Sequence, residues 1–358
     1  MKRLFRPALL TAMCLSLFAA PAEAAYKKEY KLSVVPSATS GWGLSATYFA
    51  EQVKKRTDGR INIKVYPGAQ LMAGKQTSEL LLVRNGSIDF ALASTINWSP
   101  QVKELNLTAL PFFVANNPDR YKAMDAIEAG KSGQMLIKAV EKTKVKFIGW
   151  GENGFRELTT SKGPISKPAD MSGMKLRVCG TPIFIDIFSA LGTNPQAINW
   201  SEAVTGFQQG IVDGQENPTN GINIPLQVWT WHKYHTDWHY MIDPLLLTSN
   251  QKVWNDFSAA DKKILEECAK DMEKYSKALS RLGFDDGSSL EYLKSINMVP
   301  AVTDPYKTIA EKGMNVTKFT PEMIKEFYDA TQSVRDKWTK EIGADLVKAA
   351  EADMKAAH

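Results

Sequence analysis

Residues 30–93 contain five patterned runs: YKLSVV (30–35), GLSATYFAEQVKK (43–55), RINIKVY (60–66), TSELLLV (77–83) and IDFALA (88–93). The first and third alternate with the period of two expected of a half-buried strand. The second and fourth carry apolar residues at helical spacing, and the fifth is a short apolar run ahead of polar Ser94, Thr95 and Asn97. Strand, helix, strand, helix, strand predicts an α/β lobe built on a mainly parallel sheet. Ligands gather beyond the C-terminal ends of strands in such sheets, which places residues 37–42 and 94–98 at the edge of a cleft.

Further along the chain, one long helix is expected over 119–142 and a strand over 145–150. The turn-formers Gly151-Glu152-Asn153-Gly154 then read as a crossover. A second α/β unit follows, with strands at 157–160 and 175–178, helices at 183–191 and 201–209, and a strand end at 211–214. The apolar run 240–247 reads as a buried strand returning to the first lobe. Ser258 is a candidate N-cap, with Asp261 in the first turn of a helix reaching about 282. Helices at 288–295, 304–312, 321–342 and 346–357 complete the chain.

A chain of 358 residues with 44% apolar and 23% charged residues has room for about two domains. Lys+Arg 44 against Asp+Glu 39 gives a net charge of +5 without an extended basic run, so the field of a nucleic-acid binder is missing. The only long apolar stretch is N-terminal, which argues against an integral membrane protein. Lys2, Arg3 and Arg6, the apolar run 8–20 and Ala22-Glu23-Ala24 have the layout of a cleaved secretory signal, residues 1–24, and predict a periplasmic protein. A short membrane anchor is the alternative. Cys14 lies in the signal; Cys179 and Cys268 remain, and the sequence leaves open whether they pair.

Two α/β lobes with more than one crossover supply a hinge around a wet cleft, suited to a small polar solute. Arg177 sits on the strand KLRV, sharing a face with Lys175, and its guanidinium fork matches a carboxylate or sulfonate; from the residues alone a surface salt bridge is the favoured explanation. Arg156 is a second cation near the crossover, and Asn217 offers a donor and an acceptor. His232, His235 and His239 fall on one helical face, yet no carboxylate completes a zinc motif and aromatic residues crowd the stretch, so no metal is expected. Nucleophile elbows, phosphate loops and dinucleotide fingerprints are missing, so neither catalysis nor a cofactor is expected.

The blocks Gly154-Phe155-Arg156, PADMSGMKLRV (168–178), Ala190-Leu191-Gly192, Trp200-Ser201-Glu202 and VDGQENP (212–218) closely resemble solute-binding proteins of tripartite ATP-independent periplasmic (TRAP) transporters, of the four-carbon dicarboxylate-binding type. The resemblance covers nearly the whole chain after the signal. It implies a two-lobe periplasmic binding protein, class II-like, with hinge crossovers, a long lobe-spanning helix and C-terminal helices. Lobe I would comprise 25–152 and 243–270, and lobe II 153–242 and 271–358. Arg177 would clamp the ligand's acid group, with Arg156 as second cation, Asn217 as polar partner and Trp200 as an aromatic wall. Phe155, Ser94, Thr95, Asn97, Trp98, Ser40 and Trp42 complete the expected pocket. Ser94 and Asn97 stand where the sialic-acid branch of the family has charges, which argues against a large sugar acid. A small organic acid is the expected ligand, with a small sulfonate as competitor. The expected partners are the TRAP membrane subunits, the protein itself being a monomer; an α/β enzyme acting on an organic acid is the rival reading.

Overall fold

Strand β1 (Tyr30–Ser33) pairs in parallel with β2 (Ile63–Tyr66) on one side and β3 (Phe90–Ser94) on the other, with the helix Gly41–Arg56 crossing between β1 and β2. This is the α/β unit read from residues 30–93. The computed structural model describes residues 26–115 and 117–357, so the secretory leader at 1–24 lies outside the described residues. Beyond this unit come β4 (Val145–Thr160), β5 (Lys175–Val178), β6 (Asn194–Ala197), β7 (Gly214–Pro218), β8 (Tyr234–Asp237), β9 (Ile242–Asn250) and β10 (Asn315–Lys318). They continue the sheet in the order β2-β1-β3-β9-β4-β7-β5-β6, with β8 and β10 branching from β4.

The two halves share β4 and β9. Residues 145–155 of β4 pair antiparallel with β9, and Arg156 to Thr160 pair with β7. The expected turn at Gly151–Gly154 is therefore a strand that passes straight from one half into the other. Its glycine content marks register shifts, one between Glu152 and Gly154, where Gly154 has φ 110°. A bulge re-aims the side chains of a strand without ending it. β3 and β9 are buried along their whole length, as their continuous apolar runs require of central strands. Burial of Leu245, Leu246 and Leu247 stabilises the junction by roughly 1.5–3 kcal/mol each.

The helix Ala259–Arg281, capped by Ser258 Oγ on the Asp261 N–H, is the long helix that the resemblance implied. Its 23 residues extend about 35 Å. It lies against β4, where Ser276 Oγ accepts from Glu152 N at 2.9 Å. Its C-terminal Arg281 meets Glu152 and Asp125. Two expected single helices are broken. The 119–142 segment divides at Gly130 into Arg120–Ala129 and Lys131–Glu141, because Asp353 caps the second helix through Lys131 N and Ser132 N and leaves no room for a Cβ at 130. The 321–342 segment divides at Thr331, whose hydroxyl donates back to Phe327 O.

The three histidines do not share a helical face. His232 lies in a turn, His235 on β8, and His239 just beyond it at φ 52°. His232 Nδ1 and His235 Nε2 each bond a threonine hydroxyl at 2.9 Å, from Thr159 and Thr219. Burial pushes both imidazoles down to about 4. His239 is different: burial opposes its protonation, but Glu157 at 3.1 Å and Asp237 at 2.7 Å raise its pKa above the ordinary value. Tertiary packing thus brings Glu157 of β4 beside His239, where the local sequence supplies Asp237.

Candidate functional site

The C-terminal ends of β1, β3, β5 and β7 converge on a small, half-open cavity. Val35 and Pro36 follow β1, Ser94 ends β3, Cys179 follows β5, and Asn217 lies near the end of β7. β4 contributes Asn153 and Arg156, β9 contributes Asp243, and Trp200 opens the helix Trp200–Gln208 that follows β6. This is the strand-end position expected from the sheet pattern.

Arg177, in the middle of β5, is 2% exposed. Its Nε donates to Ile198 O at 2.9 Å, and the guanidinium lies 5.4 Å from the centroid of the Trp200 ring. Its Nη2 is buried and has no hydrogen-bond partner among the described residues. Burial first, and the neighbouring Arg156 in addition, hold its pKa below the ordinary arginine value. Arg156 is the opposite case. Its Nε and Nη2 engage both carboxylate oxygens of Glu216, Nη2 also reaches Glu216 O at 2.7 Å, and Nη1 lies 3.2 Å from Asp243 Oδ2. Of these two cations on the wall, Arg156 is neutralised by protein carboxylates, and Arg177 has no ion-pair partner among the described residues.

Asp243 is itself held by Ser94 Oγ at 2.6 Å, Asn153 Nδ2 at 2.9 Å and Arg156. Burial raises its pKa above the ordinary carboxylate value. Asn217 donates to Gln215 Oε1, so its amide is fixed from behind. Gln76 Nε2 donates to Asn97 Oδ1 at 2.8 Å and to Cys179 Sγ at 3.0 Å, while Gln76 Oε1 accepts from Trp200 N at 2.8 Å.

Among the residues expected at the site, Arg177, Arg156, Asn217, Trp200, Ser94, Asn97 and Trp42 line the cavity. Four do not. Phe155 points to the other side of β4, against Tyr121 and His239, because neighbouring positions on a strand face opposite ways. Thr95 bonds Thr108 in the interior. Trp98 is a core residue whose Nε1 donates to Glu79, itself buried and pushed up to about 7 by that burial. Ser40 caps the helix Gly41–Arg56 and lines a neighbouring surface pocket. The wall also includes Gln76, Asn153, Cys179 and Asp243, which sequence reasoning missed. Asp243 gave a signal, an acid set in an apolar strand; Gln76 gave none. Cys179 and Cys268 are both buried and unpaired.

The model of bacterial extracellular solute-binding protein family 7 matches residues 32–282. The chain belongs to that family. This family 7 receptor is 31% identical over 282 residues to a solute-binding protein of Roseobacter denitrificans, covering 76% of this chain and 81% of that one. It is 27% identical to the C4-dicarboxylate-binding periplasmic protein DctP of Vibrio cholerae, covering 86% and 85%. A TRAP periplasmic solute-binding protein from Ralstonia eutropha H16, solved with bound (S)-2-hydroxy-2-methyl-3-oxobutanoate, superposes with a TM-score of 0.84 at 43% identity, covering 92% of this chain and 100% of that one. A TRAP protein from Sulfurospirillum deleyianum with bound succinate gives 0.76 at 26% identity, covering 90% and 98%. The two-lobe α/β fold, the TRAP resemblance and the extracytoplasmic placement expected from the sequence are therefore those of the family. Family 7 proteins are transport receptors and not enzymes, which removes the α/β enzyme reading.

Proposed function

We propose that this receptor captures a small monocarboxylate between its lobes and delivers it to TRAP membrane subunits. Acting as a monomer, it would work in the periplasm after removal of residues 1–24. The observation that carries the reading is the buried, unpartnered Nη2 of Arg177 on the cavity wall. A buried donor left without a partner costs about 1–3 kcal/mol, more when charged, and a ligand carboxylate relieves that cost with a charge-assisted bond.

One unneutralised guanidinium favours one acid group. A dicarboxylate such as succinate would ask for a second cation, and Arg156 already serves Glu216 and Asp243. Val35, Ile96, Ile222 and Trp42 offer the rest of the ligand an apolar surface, while Asp243 provides an acceptor for a ligand hydroxyl. Small 2-hydroxy monocarboxylates satisfy each of these demands, and the Ralstonia eutropha relative holds a ligand of that class. Lobe I would comprise 25–152 and 243–270, lobe II 153–242 and 271–358, with flexing where β4 and β9 pass between them.

Calorimetric titration with 2-hydroxyisobutyrate, succinate and ethanesulfonate tests the reading. The hydroxy acid is expected to bind at least tenfold more tightly than the other two. Equal or tighter succinate binding would overturn the monocarboxylate assignment, and tighter sulfonate binding would move the ligand class.

A further inference from the structure

We infer that Gln76 is a latch across the cleft, setting how long the closed state lasts and not how fast ligand is captured. The inference rests on the binding role proposed above. Gln76 belongs to the β2-β1-β3 half of the sheet, in the turn Gln76–Ser78, and its side chain crosses to the β7-β5-β6 half. There it makes three hydrogen bonds: its carbonyl takes the N–H of Trp200, and its amide reaches the Cys179 thiol while also holding Asn97 on its own side. The Cys179 thiol in turn donates to Asn97 Oδ1 at 3.2 Å, so two side chains of one half grip a single sulfur of the other.

Two further features tie this seam to the ligand clamp. The N–H of Trp200 opens the helix Trp200–Gln208, so it is one of the donors a helix leaves without an internal partner. With the halves apart it would lose Gln76, and on closure it is satisfied. The ring of the same Trp200 lies over the guanidinium of Arg177, so the residue that receives the latch also shapes the acid-binding fork. The approach is close: a Cβ at Gly74 would sit 2.4 Å from Ser201 Oγ across the same seam. Hydrogen bonds that form only on closure are absent from the encounter complex, so they act on dissociation.

Cys179 is also the natural reporter. It is 3% exposed, and both of its hydrogen bonds come from the other half of the sheet, so separating the halves would uncover its sulfur to alkylation. Cys268, 0% exposed on the buried face of the long helix Ala259–Arg281, is the internal control. The test compares the full chain with Gln76→Met, which keeps the length of the side chain and removes all three bonds. Peptide mass spectrometry follows maleimide labelling of each cysteine with and without 2-hydroxyisobutyrate, and stopped-flow fluorescence gives the association and dissociation rates.

The latch requires Cys179 to label roughly ten- to a hundredfold faster in Gln76→Met, with Cys268 unchanged, and dissociation to quicken by a similar factor while association stays within about twofold. Equal Cys179 labelling in both proteins would overturn it, as would a variant that slows association and leaves dissociation alone. Should the hydroxy acid bind neither protein, faster Cys179 labelling in the ligand-free variant would uphold the latch while the ligand class falls.

Discussion

Replacing Arg177 by methionine is expected to separate ligand affinity from stability. The side chain is 2% exposed, its Nη2 bonds nothing, and its one hydrogen bond goes from Nε to Ile198 O. Among the described residues it makes no ion pair. Removing one member of a buried charge pair costs about 2–5 kcal/mol, and here the other member is the ligand, so affinity should fall roughly 30-fold to several thousand-fold. The ligand-free protein answers differently. Breaking a buried protein ion pair costs about 3–5 kcal/mol because the surviving charge is stranded, whereas Arg177→Met takes away a charge already without a counter-ion. Its ligand-free thermal midpoint should equal or exceed that of the parent.

Calorimetry measures the first quantity and thermal melting the second. For the parent, ligand at a hundredfold excess over its dissociation constant adds about 2.7 kcal/mol, and the variant should show no ligand-dependent shift at that concentration. Affinity within threefold of the parent would refute the clamp. A ligand-free variant destabilised on the scale of a broken ion pair would make Arg177 a structural strut.

Glu216→Gln should behave as the mirror image: it strands Arg156, which Glu216 holds by both carboxylate oxygens, and so costs about 3–5 kcal/mol in chemical denaturation of the ligand-free protein. Retained parental stability would show that Asp243 alone suffices for Arg156. His232 and His235 are held at about 4, below the ordinary imidazole value, so the unfolded chain binds more protons and their contribution is present above pH ~6.5 and lost as the pH falls toward 4. That loss is about 3 kcal/mol per histidine at most; His232→Gln should flatten the acid limb of a stability profile, and an unchanged limb would count against it. His239 has the reverse sign, its raised pKa giving a contribution complete in acid and lost as the pH climbs through that raised value.

Much of the fold was legible because periodicity reports burial directly. The alternation in 60–66 and the apolar run 240–247 became β2 and β9 with shifts of a few residues at their ends. The glycines at 151 and 154 misled, since the same residue that permits a turn also permits a bulge, and only pairing with β9 chooses between them. Likewise Gly130 broke a helix only because Asp353, distant in sequence, was there to cap the new start.

The sequence by itself determined the strand-and-helix alternation, the placement of residues 94–98 at a strand end and of Arg177 on a strand, and the family, because each is written in local pattern or contiguous motif. Tertiary structure alone decided which cation is free. Arg156 and Arg177 look alike along the chain, and they differ because Glu216 and Asp243, from β7 and β9, surround the first and leave the second facing the cavity. Charge compensation depends on distance through space, and no spacing along the chain encodes it.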